Sequence, residues 1–88
     1  MKKPWYVYIA EFGNGALYTG ISTDVKRRIK QHNEGKGAKS LRGKGPVKLV
    51  YEEIHGTVTS ARIREAAIKK WTRLYKLKLI LSQKKGLP

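Results

Sequence analysis

The chain has 88 residues, 40% of them hydrophobic, with 20 Lys and Arg against six Asp and Glu, a formal net charge of +14, and no cysteine. That length accommodates one domain with a modest core. The charge favours a polyanionic partner, nucleic acid first and an anionic surface second, while the missing cysteines exclude disulfides, thiolate chemistry and cysteine-ligated zinc.

The opening "MKKPWYVYIAEF" is basic, but its apolar run soon meets Glu11, so a signal peptide is not expected. No stretch approaches the roughly 18 apolar residues of a membrane span, and a cytoplasmic protein is the expectation. Residues 5–11 and 17–22 are rich in aromatic and β-branched types. The Asn14-Gly15 pair between them can take the positive φ angles of a tight turn, which predicts a hairpin. Ser22, Thr23 and Asp24 offer capping oxygens for a helix over 24–34. Residues 35–46, "GKGAKSLRGKGP", carry four glycines and a proline and read as a loop. "VKLVYEEI" from Val47 is a third strand, and a second helix starts near Ser60. That helix either continues to Leu81 or breaks near Thr72, where the hydroxyl can cap a third. The expected order is β-β-α-β-α-α, an α+β fold with a three-stranded antiparallel sheet flanked by helices. It forms one domain over residues 1–82, with a frayed tail over 83–88.

Helix periodicity separates the charges of "LYTGISTDVKRRIKQHN". At 100° per residue Val25 and Ile29 form the apolar stripe, and Arg28 and His32 flank it. Arg27, Lys26 and Lys30 point away, as a solvated basic face would. A guanidinium at a core edge needs a partner, either a carboxylate or a bound anion. From Ile54 to the C-terminus Glu65 is the single acid among nine bases. It falls beside the packed stripe of Ala61, Ile68 and Trp71, joined by Tyr75 if the helix is unbroken. Glu65 therefore reads either as a salt bridge to Arg62 or Lys69, or as the single carboxylate that a magnesium-like ion can require. Tyr6 and Tyr8 share one strand face, and Gly20 marks a bulge or a close approach.

"YVYI", then "LYTGISTDVKRRIKQH", then a glutamate on a later helix, resembles the GIY-YIG nuclease domain, most closely its small stand-alone bacterial group. The likeness runs from about Pro4 to Leu81. It implies the same α+β fold and hydrolysis of phosphodiester bonds by water with one Mg²⁺ or Mn²⁺ ion. It matches Tyr8 and Tyr18 to the family's two tyrosines, Arg28 to its catalytic arginine, Glu65 to its metal-binding glutamate and His32 to a frequent histidine. Tyr18, Tyr8 and His32 all remain open as the group that handles the water's proton. The tripeptides read Tyr6-Val7-Tyr8 and Tyr18-Thr19-Gly20, so Tyr6 replaces the family's glycine, and the late asparagine of many members has no counterpart.

Gly15 and Gly20 have P-loop spacing, but Ile21 stands where lysine is required, which excludes a nucleotide cofactor site. Lys36, Lys39, Arg42 and Lys44 of the glycine-rich loop, with Arg27, are the candidates for gripping a phosphate backbone. The resulting expectation is a metal-dependent endonuclease acting on DNA in repair or recombination, with selectivity for DNA structure as an option. The alternative is an inactive nucleic-acid-binding module of the same fold.

Overall fold

The computed structural model describes residues 3–34 and 46–84. Its elements are β1 (Trp5–Phe12), β2 (Leu17–Ser22), α1 (Val25–Asn33), β3 (Val47–His55), α2 (Val58–Lys69) and α3 (Arg73–Lys84). The strands form one antiparallel sheet in the order β2-β1-β3, so the architecture is the expected α+β with β-β-α-β-α-α order.

The central strand β1 supplies a core on each face. Val7 and Ile9 pack with Tyr51, Ala61, Ile68 and Ile80 against α2 and α3. Tyr8, Ala10 and Phe12 pack with Val25 and Val47 against α1. Simple alternation along β3 would send Val47, Leu49 and Tyr51 to a single face. A register shift opposite Ile9 and Ala10, which pair with Tyr51 and Leu49, prevents this. Val50 is the extra residue, so Val47 and Leu49 face α1 while Tyr51 faces α2.

The hairpin differs from a two-residue Asn-Gly turn. Gly15 alone takes positive φ, at 87°. The Gly15 N–H donates to the Phe12 carbonyl and the Phe12 N–H to the Ala16 carbonyl, both at 2.9 Å, and Asn14 Oδ1 accepts from the Ala16 N–H at 3.0 Å. This is a turn closed by a left-handed glycine, a second common solution for a hairpin.

Helix α1 is capped by Asp24, which accepts the Arg27 N–H at 3.1 Å. Helix α2 begins earlier than Ser60, because Thr57 accepts the Ser60 N–H at 3.1 Å. The helical stretch does break at Thr72. The Tyr75 N–H points to Thr72 Oγ1 at 3.4 Å, and the Lys76 N–H donates to the Thr72 carbonyl at 3.2 Å. Tyr75 consequently leaves the packed stripe and is exposed, together with Leu74 and Leu81 on α3. Of the expected tail over 83–88, residues 85–88 lie outside the described residues. Helix α3 continues to Lys84, and the Gln83 amide accepts the Glu52 N–H at 3.2 Å while donating to its carbonyl at 2.7 Å. Gln83 thus satisfies part of the open edge of β3, where backbone groups lack a strand partner.

The Asn33 side chain makes the matching pair at the start of β3. It accepts the Val47 N–H at 2.6 Å and donates to the Val47 carbonyl at 2.9 Å, joining α1 to the sheet. Asn33→Ala should leave both backbone groups of a buried residue without these partners and cost about 1–3 kcal/mol, read as a lower urea midpoint with an unchanged slope.

Candidate active site

Tyr8, Gly20 and Tyr18 meet on the α1 side of the sheet because Tyr8 is the cross-strand partner of Gly20 and Tyr18 lies two residues before it. The Tyr8 ring lies over Gly20. A Cβ there would stand 2.7 Å from the Tyr8 hydroxyl oxygen, 2.9 Å from its Cζ and 3.0 Å from Tyr18 Cε2. Gly20 therefore marks a close approach, and the intruder is a side chain from the central strand.

His32 closes the cluster from the last turn of α1. Its Nε2 lies 3.2 Å from the Tyr8 hydroxyl. Its ring meets Tyr18 edge-on at 5.5 Å and 70°, and the two tyrosine rings are 6.2 Å apart. Tyr8 is 1% exposed and His32 5%. His32 Nδ1 is buried with no hydrogen-bond partner among the described residues, as is Thr19 Oγ1.

Arg28 lies one turn before His32, half-buried, and donates to Gln31 Oε1 at 3.2 Å. Its charge reaches both neighbours. Burial, then the Tyr18 interaction, push the Tyr8 hydroxyl up to about 12, with Arg28 opposing and Glu65 reinforcing the rise. Burial, then the Arg28 charge, hold His32 below its ordinary 6.5. A buried imidazole beside a permanent cation is therefore kept neutral.

Glu65 enters from the other side of the sheet. Helix α2 is held against β3 by a junction that sequence reasoning missed. Glu53 accepts from Arg64 Nε on both oxygens at 3.2 and 3.1 Å, from the Tyr51 hydroxyl at 2.6 Å, and sits 2.6 Å from His55 Nε2. His55 Nδ1 lies 2.7 Å from Ser60 Oγ, and the Arg64 guanidinium lies 5.1 Å from the Trp71 ring centroid. Burial works against the Glu53 charge, yet the bonds from Tyr51, His55 and Arg64 outweigh it and hold the carboxyl below its ordinary range. Burial and the bond to Glu53 push Tyr51 up to about 12. The available signal was Tyr51, Glu53 and His55 at two-residue spacing on one strand face. Because Arg64 precedes Glu65, this junction fixes the rotation of α2 that gives Glu65 its position. The Glu65 carboxylate bonds Lys69 Nζ at 3.3 Å, one of the two partners that helical spacing allowed.

Of the sequence candidates, Tyr8, Tyr18 and His32 are thus in mutual contact, with Arg28 beside them and the Glu65 charge felt at Tyr8. Arg27 is exposed on the outer face of α1, apart from this cluster. Lys36, Lys39, Arg42 and Lys44 lie outside the described residues.

A family model described as the GIY-YIG catalytic domain matches residues 4–78. The chain belongs to the GIY-YIG family. Within it, the chain is 48% identical over 84 residues to a UPF0213 protein of Streptococcus agalactiae, covering 96% of each. It is 47% identical over 83 residues to another from Pectobacterium carotovorum, covering 94% of this chain and 84% of the relative. The solution NMR structure of a UPF0213 protein from Bacillus halodurans matches 97% of this chain and 88% of its own, with 44% identity and a TM-score of 0.57. A second NMR structure, of an E. faecalis protein, covers 99% of this chain and 91% of its own, with 36% identity and a TM-score of 0.62. The GIY-YIG assignment suggests a nuclease with a nucleic-acid substrate. Among the described residues, no helix is long and apolar enough to cross a membrane.

Two outcomes follow from the packing. Gly20→Ala should force Tyr8 off its seat, cost about 1–3 kcal/mol in urea unfolding, and shift the His32 ring resonances as the 3.2 Å contact opens. His32 should titrate below pH 6.5 by NMR. Since its folded value lies below the unfolded one, the stability it contributes is complete above pH 6.5 and is lost as pH falls through the folded value. Urea midpoints of wild type and His32→Gln across that window should converge on the acid side.

Proposed function

We propose that the protein is a divalent-metal-dependent endonuclease that hydrolyses phosphodiester bonds in DNA, with DNA of irregular structure, as in repair or recombination, as its substrate class. The observation that carries this reading is the meeting of Tyr8, Tyr18 and neutral His32 beside the permanent charge of Arg28, within electrostatic reach of Glu65.

A metal ion would need oxygen or nitrogen donors from this chain. Among the described residues there is no group of three or more His, Cys, Asp or Glu able to hold one. A full protein cage is thus not on offer. Glu65 nevertheless supplies a hard carboxylate oxygen within electrostatic reach of Tyr8, and Mg²⁺ typically takes one or two such oxygens with water and phosphate completing its shell. The donor set fits one Mg²⁺ or Mn²⁺ ion held by Glu65. When bound, such an ion polarises the phosphoryl group and stabilises the leaving oxygen.

The chain's own residues account for the other requirements. Arg28 can fork onto two phosphate oxygens with a charge that does not titrate. Arg28 acts on the Tyr8 oxygen. With the imidazole neutral and its proton on Nδ1, the phenol donates to His32 Nε2, so Tyr8 would pass a water's proton on as a relay and His32 would be the base that receives it. Tyr8 is too weak an acid to be a phenolate at neutral pH, which makes the relay preferable to Tyr8 acting alone. The Tyr18 edge holds the imidazole plane. The exposed Arg27 and the loop bases Lys36, Lys39, Arg42 and Lys44 would hold the phosphate backbone without reading bases, which implies steep salt dependence.

An inactive binding module with the same fold is the second reading. It is favoured by Lys69, which already neutralises the carboxylate of Glu65. Nicking of supercoiled plasmid with Mg²⁺, Mn²⁺ or EDTA separates the two. Metal-dependent nicking should fall roughly 10²- to 10³-fold in both Glu65→Ala and Arg28→Ala. Plasmid binding without cutting under either metal, repeated on branched DNA, would establish the binding module instead.

A further inference from the structure

The contact between Lys69 and Glu65 bears on how a metal would reach the site. Glu65 is the only acid on α2 or α3, and bases surround it in sequence. Arg64 is committed to Glu53. Lys69 bonds Glu65 Oε2 at 3.3 Å, and the two side chains are 52% and 20% exposed. The glutamate precedes the lysine by four residues, the orientation in which a helical pair is most favourable. An ammonium this close to the oxygen would stand within a few ångströms of an ion bound to that oxygen, and the two cations would repel. Lys69 is exposed enough to rotate away at small cost.

We infer that Lys69 is a resident counter-cation of Glu65 which a divalent ion must displace, so that an internal competitor helps to set the metal affinity. This rests on the metal role proposed above for Glu65. Divalent binding then proceeds by exchange: the ammonium leaves the carboxylate, the metal takes its place, and Lys69 becomes free to meet the phosphate that accompanies the metal. The exchange explains how one carboxylate can remain oriented and charge-paired before any metal arrives.

The test is Mn²⁺ binding to the intact chain, followed by electron paramagnetic resonance of the free ion, with no nucleic acid present. Wild type is compared with Glu65→Gln, Lys69→Met and Lys70→Met. Lys70 is an exposed neighbour whose loss changes the net charge equally. Lys69→Met should tighten Mn²⁺ roughly two- to fivefold, the range of an exposed ion pair. Lys70→Met should change it less than about twofold, as expected for a screened surface charge. Equal shifts in both variants would overturn the inference by reducing it to a net-charge effect, and weaker binding in Lys69→Met would overturn it by making Lys69 a support for the ligand. In both of those cases wild type would still exceed Glu65→Gln. If wild type and Glu65→Gln bind Mn²⁺ alike, the metal role of Glu65 itself fails and the inference falls with it.

Discussion

The missing side chain at Gly20 is the constraint on which the site depends. Tyr8 stands on the central strand, where both neighbours are strands and both faces are covered, so its phenol can only lie across an adjacent strand. It lies across β2 because residue 20 offers no Cβ, and this brings the hydroxyl to the end of α1. His32 and Arg28 then share the turn of α1 nearest that hydroxyl. The helix is oriented by its apolar stripe of Val25 and Ile29, so core packing and site geometry are one arrangement seen from two sides. Burial does the electrostatic work: it keeps Tyr8 protonated and His32 neutral, while Arg28 retains its charge whatever its surroundings.

The few acids of so basic a chain are disposed with corresponding care. Asp24 caps α1, Glu11 meets Lys48 at 3.5 Å, Glu53 is enclosed by Tyr51, His55 and Arg64, and Glu65 pairs with Lys69 within electrostatic reach of Tyr8. Glu53 is the one whose loss would reach furthest. Breaking a partly buried pair leaves Arg64 without its carboxylate, and α2 would lose its polar attachment to β3. Glu65 follows Arg64 directly, so a disturbance of this junction would move Glu65 without touching it.

Periodicity made much of this legible before any coordinates. Val25 and Ile29 marked the buried face of α1 and singled out Arg28 and His32. Ala61, Ile68 and Trp71 did the same for α2 and placed Glu65 at a packed edge. What escaped was structure set by tertiary contact. The extra residue at Val50 reverses the inward face of β3, and nothing in "VKLVYEEI" signals a bulge. The Asn14-Gly15 pair was equally compatible with two hairpin geometries, and the strands chose the one that needs a single positive φ. Gln83 has no local reason to be ordered, and its partner is the backbone of Glu52, distant in sequence. The Glu53 junction requires knowing that β3 and α2 lie side by side.

The balance of charge bears on why one carboxylate can suffice. A surface at +14 concentrates nucleic acid around itself and repels free divalent cations. An ion held by Glu65 would therefore bind more tightly once a phosphate is present, whose negative oxygens supply both further ligands and compensating charge. Metal and nucleic acid would each raise the other's affinity, as linkage between two sites requires. On this view the lack of a protein cage around Glu65 among the described residues is consistent with metal-dependent chemistry. On the proposed reading the cation site would be assembled on the substrate, and Arg28, charged and beside Tyr8 and His32, would receive the phosphate first.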